Sequence, residues 1–390
     1  MSTTATFTPA SSGRVLLLLL ILAAGSAWAE EQPQPNRVNV LDPVEVRALR
    51  PPLIHVELPY HLLRERYAAA AVADGYYIYV IGGGNSRFRS LDDIERFDVR
   101  TGKSEHWGKL RLARRLHGAV LVGRQVYILG GYINHNDRLA SEDSFTDSVE
   151  VIDLDTGQVT AGPPMPKPKA QFACVALRGK IYVIGGVLQH GASLLATVST
   201  NSMEVLDLAN GKWSTGLTMP SPRQGPAVVV DDFILVPGGH RGTAPVANVE
   251  LFVPRENLWR ILPPLAQPLS MHSAVFAGHH VYLFGRAGTV AYDLVAKASR
   301  YYPFDYAPAR LTAAVLCQGR IYVLGGSRAT DDPTEDYTDL NANGAPAAGP
   351  HGEHDPVETM AGHAADPDAS AEAVTDIQVF ELAKGELPGG

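Results

Sequence analysis

Lysine and arginine recur at one offset along this chain of 390 residues: Arg64 and Arg66, Arg114 and Arg115, Lys167 and Lys169, Arg223, and Arg310 each stand a few residues before a short apolar run. At the one such place without a cation the sequence has His272. A second set follows the next apolar run: Arg87 and Arg89, His135 and Arg138, His190, His240 and Arg241, Arg286, and Arg328. Guanidinium and ammonium groups bind carboxylates and phosphates, and like charges set around a low-dielectric rim add their fields along its axis. One carboxylate ~4 Å from one guanidinium gains about 1 kcal/mol in water and about 4 kcal/mol at an effective dielectric of about 20, so two or three contacts in a partly dry mouth give micromolar binding. The chemistry expected is anion binding, with Arg66, Arg115, His117, Lys169, Arg223, His240, Arg241, His272 and Arg310 as the candidate ligand-binding residues. The same cations have a competing structural use, pairing with the carboxylate or carbonyl of a neighbouring structural unit.

Other chemistry is thinly represented. There is no Gly-x-Ser-x-Gly, no His-Glu-x-x-His and no phosphate-binding glycine loop. Asp339, Asn341, Asn343 and Gly344 copy the first half of a calcium loop, but Pro350 falls where the bidentate glutamate belongs. His351, His354 and His363 lie near Glu353 and Asp355 at spacings unlike those of a dedicated zinc site. No metal and no cofactor is expected. If the mouth does chemistry, His117 or His272 is the candidate proton carrier, with the arginines holding a substrate carboxylate.

The elements that carry these side chains repeat. Six apolar strands run into a glycine pair or its degenerate form, at YYIYVIGGG (76–84), QVYILGG (125–131), KIYVIGG (180–186), DFILVPGG (232–239), HVYLFGR (280–286) and RIYVLGG (320–326). Copies start 40 to 55 residues apart, the period of an architecture whose units bury their faces only against each other. Each copy has an apolar strand upstream and a hairpin downstream, as in VEVIDLDTGQVT and MEVLDLANGKW, where the Thr-Gly and Asn-Gly pairs accept positive φ. Four antiparallel strands per unit follow, and an all-β, six-bladed propeller. In such a ring the fourth-to-first and second-to-third connections emerge on one face, which places both sets of cations around one pore mouth.

The double glycines, the preceding Tyr79, Tyr127, Tyr182, Tyr282 and Tyr322, and the fourth-strand Trp107, Trp213 and Trp259 resemble the Kelch repeat over residues 53 to 383. Arg286, Val159, and Phe233 with Leu235 are local departures from that pattern. The resemblance implies Kelch-type blades and a recognition function. Exported sialic-acid mutarotases are similar in size and general design, which makes an enzyme acting on an acidic sugar the alternative, although none of their acid/base residues maps onto this chain. Copper-radical oxidases are similar in part, but they need a cross-linked cysteine and tyrosine, whereas Cys174 and Cys317 fall on opposite first strands as small core residues that cannot meet in a disulfide.

The sixth unit ends at IQVFELAKGELPGG without a fourth strand, so residues 53–58 are expected to supply the outer strand of blade 6 and close the ring. Residues 1–29 read as a signal peptide with Ala27-Trp28-Ala29 at the cleavage site, followed by an extension over 30–52 and the propeller over 53–390. Residues 327–375 form an acidic insertion in blade 6 with the composition of a flexible loop, free in solvent or folded back on the basic face through Asp331, Asp332, Glu335, Asp336 and Asp339. A net charge of −8 argues against nucleic acid, and no second apolar run suggests a membrane span. The sequence thus predicts a periplasmic or secreted propeller that binds an anionic small molecule or an acidic protein segment of the cell envelope.

Overall fold

In the computed structural model the described residues are 53–87, 89–133, 144–189, 196–286, 288–302, 307, 309–328, 358–359 and 372–383. The expected signal peptide, the 30–52 extension, the calcium-like loop and the three-histidine cluster lie outside them. Six four-stranded antiparallel sheets follow one another. Blade 1 is Ala70–Asp74, Tyr77–Ile81, Asp93–Asp98 and Lys103–Lys109. The inner strands touch in ring order, from Ala70–Asp74 through Gly118–Val122, Ala173–Leu177, Val228–Val230, Ser273–Ala277 and Ala313–Cys317 back to Ala70–Asp74. The sixth sheet is completed by Leu53–Val56, which pairs with Ile377–Leu382 in the register Leu53 to Leu382 and Val56 to Val379. The N-terminal strand therefore closes the ring as the truncated sixth unit requires, with Leu53 fully buried in the core between blades 5 and 6.

The glycine pairs stitch one blade to the next. Gly83 N–H donates to the Arg114 carbonyl (2.9 Å), Gly131 to Lys169 (2.8 Å), Gly186 to Arg223 (2.9 Å), Gly239 to Leu269 (2.8 Å) and Gly326 to Arg66 (2.8 Å). Both glycines of these pairs have positive φ, and a Cβ on Gly185 would sit 2.4 Å from the Arg223 carbonyl oxygen. Only glycine fits such a bend against another backbone. At the outer edge, Trp213 Nε1 donates to Pro163 O (3.0 Å) and Trp259 Nε1 to Leu217 O (3.0 Å), tying the fourth strands of blades 3 and 4 to the blade before each. Cys174 and Cys317 are free thiols on first strands, and burial pushes both thiols up, Cys317 to about 11.

Candidate functional site

Each blade's first strand is preceded by a corner whose residues take fixed roles. In blades 1 to 4 the corner cation is Arg66, Arg114, Lys169 or Arg223, and all four are buried. The Arg66 guanidinium donates to Gly82 O (2.9 Å) and Asp93 Oδ2 (2.7 Å) and also pairs with Glu95. Arg114 donates to Gly130 O (2.9 Å) and Glu150 Oε1 (2.6 Å), Lys169 to Ser202 Oγ (2.9 Å) and Glu204, and Arg223 lies 2.9 Å from both Val236 O and Glu250 Oε2. The carboxylates hold the corner backbone as well: Glu95 accepts from Leu63 N (2.7 Å), and Glu150 from Arg111 N (2.7 Å). Burial pulls the Arg114, Lys169 and Arg223 pKa values down while their glutamates oppose it.

These contacts correct the reading of Arg66, Lys169 and Arg223 as mouth ligands. Their charges are neutralised inside the blade, and the carboxylate comes from the third strand of the same blade instead of a neighbouring one. The sequence held the signal: glutamate stands two strand positions before the glycine pair on the paired third strand wherever the corner cation is present, as Glu95 opposite Val80, Glu150 opposite Ile128, Glu204 opposite Val183 and Glu250 opposite Val236. Where the corner has Leu269 or Ala309, the matching positions are Val290 and Gln378. Gln378 keeps one half of the glutamate's work, exchanging two 3.1 Å hydrogen bonds with the backbone of Ala307.

The next corner residue forms a different ring. Tyr67, Arg115, Ala170, Gln224 and Arg310 each bridge the residue after a glycine pair: Gly84, Tyr132, Val187, His240 and Ser327. They surround the axis on the face of the fourth-to-first and second-to-third connections. The Arg115 guanidinium lies between two aromatic rings, 5.7 Å from the Tyr67 centroid and 4.9 Å from that of Tyr132. Tyr67 is buried, which raises its hydroxyl pKa, while Arg115 and Arg310 both act to lower it. Cations of the two blades on either side of blade 1 thus both act on one tyrosine. Gly84 makes room for this, since a Cβ there would meet the Tyr67 ring at 2.8 Å and the Arg115 side chain at 3.0 Å.

The remaining candidates sit elsewhere. His117 and His272 occupy the same corner position in blades 2 and 5, on opposite sides of the ring, and His272 Nε2 lies 3.1 Å from Pro237 O of blade 4. Burial pushes His117 down to about 3 and His272 to about 4, so both are neutral wedges between blades. His240 is buried beside Gln224 and lowered to about 4, whereas the neighbouring Arg241 is exposed. In the second set, Arg328 pairs with Asp376, and Arg87 and Arg89 are exposed. His135, Arg138 and His190 lie outside the described residues. An axial cavity of about 320 Å³ is lined by aliphatic residues such as Val72, Leu121, Val229 and Leu316 together with Cys174, and carries no acid/base side chain. Among the described residues no group of three His, Cys, Asp or Glu is placed to hold a metal ion.

The Kelch motif matches residues 65–105, 113–166, 168–220 and 223–266, which are blades 1 to 4, the blades with the buried ion pair. The chain is 26% identical over 252 residues to Kelch-like protein terF of Aspergillus terreus, covering 59% of this chain and 53% of that protein. It is 25% identical over 224 residues to Kelch-like protein 25 of Xenopus tropicalis (52% of this chain, 35% of that one), and 34% identical over 140 residues to Kelch domain-containing protein 10 of the same species (33% and 32%). The chain therefore spans about a third to a half of the length of these curated relatives. With each motif folded into one blade of a closed six-bladed ring, the chain belongs to the Kelch-repeat β-propeller family.

Proposed function

We propose that this propeller is an exported recognition protein whose mouth binds a carboxylate-bearing ligand, foremost an acidic protein segment, through Arg115 and Arg310. The observation that carries this reading is the stacking of Arg115 between Tyr67 and Tyr132, with Arg310 at the matching corner of the blade on the other side of Tyr67. Stacking fixes the plane of a guanidinium, so its edge meets a carboxylate with little rotamer freedom left to lose. The buried tyrosine hydroxyl supplies a neutral donor beside the two charges. Binding, and not turnover, is the favoured use, because His117 and His272 are neutral, buried and on opposite sides of the ring. Kelch propellers are typical protein-binding scaffolds, which agrees with a protein segment as ligand. The signal-peptide pattern over residues 1–29 supports an encounter in the cell envelope, which N-terminal sequencing of the mature protein would check.

The test is anisotropy of a fluorescein-labelled hexaglutamate peptide. The full chain should bind it, more weakly as salt rises and the Debye length shrinks to about 8 Å. The pair Arg115→Glu and Arg310→Glu should weaken binding roughly tenfold or more in chains that still unfold cooperatively, although burial of Arg115 means that the reversal also lowers stability. Affinity that ignores both the charge reversal and the salt overturns the reading.

A further inference from the structure

One residue further along each corner, a collar of main-chain hydrogen bonds joins blade to blade around the axis. Leu116 N–H donates to Ala68 O (2.9 Å), Gln171 to Leu116 (2.9 Å), Leu311 to Met271 (2.7 Å) and Ala68 to Leu311 (2.8 Å). All five residues have φ between 48° and 56°, left-handed backbone that costs energy in any residue with a Cβ. The sixth member is Gly225, for which that conformation is free of cost, yet its φ lies outside the left-handed region. Pro226 supplies the reason. A proline crowds the residue before it and pushes that residue towards extended backbone, and no other member of the collar is followed by proline.

The collar is therefore broken on both sides of Gly225. Among the described residues, the N–H groups of Gly225 and Met271 and the carbonyls of Gln171 and Gly225 have no main-chain partner. Unused polar capacity extends to the side chains alongside: Nδ1 of His240, which is bridged to Gln224, and Nδ1 of His272, next after Met271, are buried with no partner among the described residues. Each member of the collar directly follows a corner residue, Leu116 after Arg115, Leu311 after Arg310 and Gly225 after Gln224, so the break lies in the mouth. It belongs to blade 4, across the axis from Tyr67 of blade 1. Two donors and two acceptors select a class of ligand. A carboxylate only accepts and would face two carbonyl oxygens, whereas an amide offers one donor and one acceptor and matches both.

We propose that the break at Gly225 is a subsite for the main-chain amides of a peptide, so that the mouth reads an acidic segment through its carboxylates at Arg115 and Arg310 and through its backbone at blade 4. The inference rests on the acidic-segment reading of the mouth. It adds what charge alone lacks, discrimination between a protein segment and a free polycarboxylate. A ligand group that displaces solvent from such atoms must reproduce the hydrogen bonds or lose affinity.

The test compares two fluorescein-labelled probes on the full chain: hexaglutamate, and the same peptide methylated at every main-chain nitrogen, which keeps the charges and carbonyls but has no N–H to donate. The methylated probe should bind roughly tenfold more weakly. Pro226→Ala frees Gly225 to enter the left-handed region and complete the collar. It should weaken hexaglutamate to the level of the methylated probe, leave the methylated probe unchanged, and slow hydrogen exchange at the Gly225 amide without peptide. Equal affinity of the two probes for the parent chain overturns the inference and leaves the break to solvent. A Pro226→Ala chain that keeps the parent's preference between the probes overturns it as well. In both cases the salt dependence and the effect of Arg115→Glu with Arg310→Glu persist, and the anion reading stands. If neither salt nor the arginine reversal changes hexaglutamate binding, that reading falls and takes the subsite with it.

Discussion

Blades 1 to 4 and blades 5 to 6 solve one problem in two ways. The corner before each first strand must be tied to the third strand of its blade. The first four blades use a buried cation and a buried glutamate; blade 5 uses Leu269 and Val290, and blade 6 uses Ala309 with Gln378 bonded to the backbone of Ala307. The difference teaches that the ion pair is dispensable as a pair and indispensable by halves. Desolvating two charges consumes most of their attraction, so an apolar pair of similar volume is nearly equivalent, whereas a single buried charge has nothing to offset its burial.

The largest effect that sharpens this comparison is expected at the blade with neither an ion pair nor a contiguous fourth strand. Deleting residues 53–58 exposes Ile377–Leu382 as an open edge and removes fully buried Leu53, so cooperative unfolding in urea should disappear. A variant that melts like the parent would assign closure to some other element. Next comes Glu250→Ala, which strands the buried Arg223 and should cost about 3–5 kcal/mol. The double change Arg223→Leu with Glu250→Val, which gives blade 4 the solution of blade 5, should recover most of that loss. Equal unfolding midpoints for the single and double variants would break the comparison.

Acid sensitivity should be shared by both groups, because His117 belongs to blade 2 and His272 to blade 5. Their folded pKa values, about 3 and about 4, lie below the ordinary value near ~6.5, so between these limits the unfolded chain binds more protons. Stability is therefore full above pH ~6.5 and falls as the pH drops towards ~4, by about 3 kcal/mol for each histidine. Urea midpoints measured at intervals across this window should fall, and His272→Gln should flatten the slope. A slope unchanged by His272→Gln would mean that this ring is protonated in the fold. The smallest effect is at the outer rim: Trp213→Phe removes the donor to Pro163 O and should cost about 1 kcal/mol by urea titration, with no change at the mouth.

Local repetition made the blades legible. Glycine pairs, hairpin turns and strand-length apolar runs act over a few residues, so six copies fix six sheets, and a missing fourth strand after Ile377–Leu382 points to a donor elsewhere in the chain. The mouth was legible only in part, because Arg114 and Arg115 are adjacent and of one type yet differ in role. Arg114 turns inward to Glu150, while Arg115 lies between tyrosine rings. One residue of register separates a buried ion pair from a mouth cation, and composition cannot see it. What distinguishes them is the glutamate far along the chain, visible only when third strands are aligned across units.

Closure has a consequence for the order of events in time. Leu53 is among the first described residues to be synthesised, and its partner Leu382 among the last. Every blade between them can complete its hairpins from neighbouring sequence, but the final pairing joins positions separated by nearly the whole propeller, the contact of highest order and slowest search. Until the last unit is made, the nascent ring has a solvent-exposed edge on either side of its seam, so premature release or a stall late in synthesis should yield chains prone to joining edge to edge.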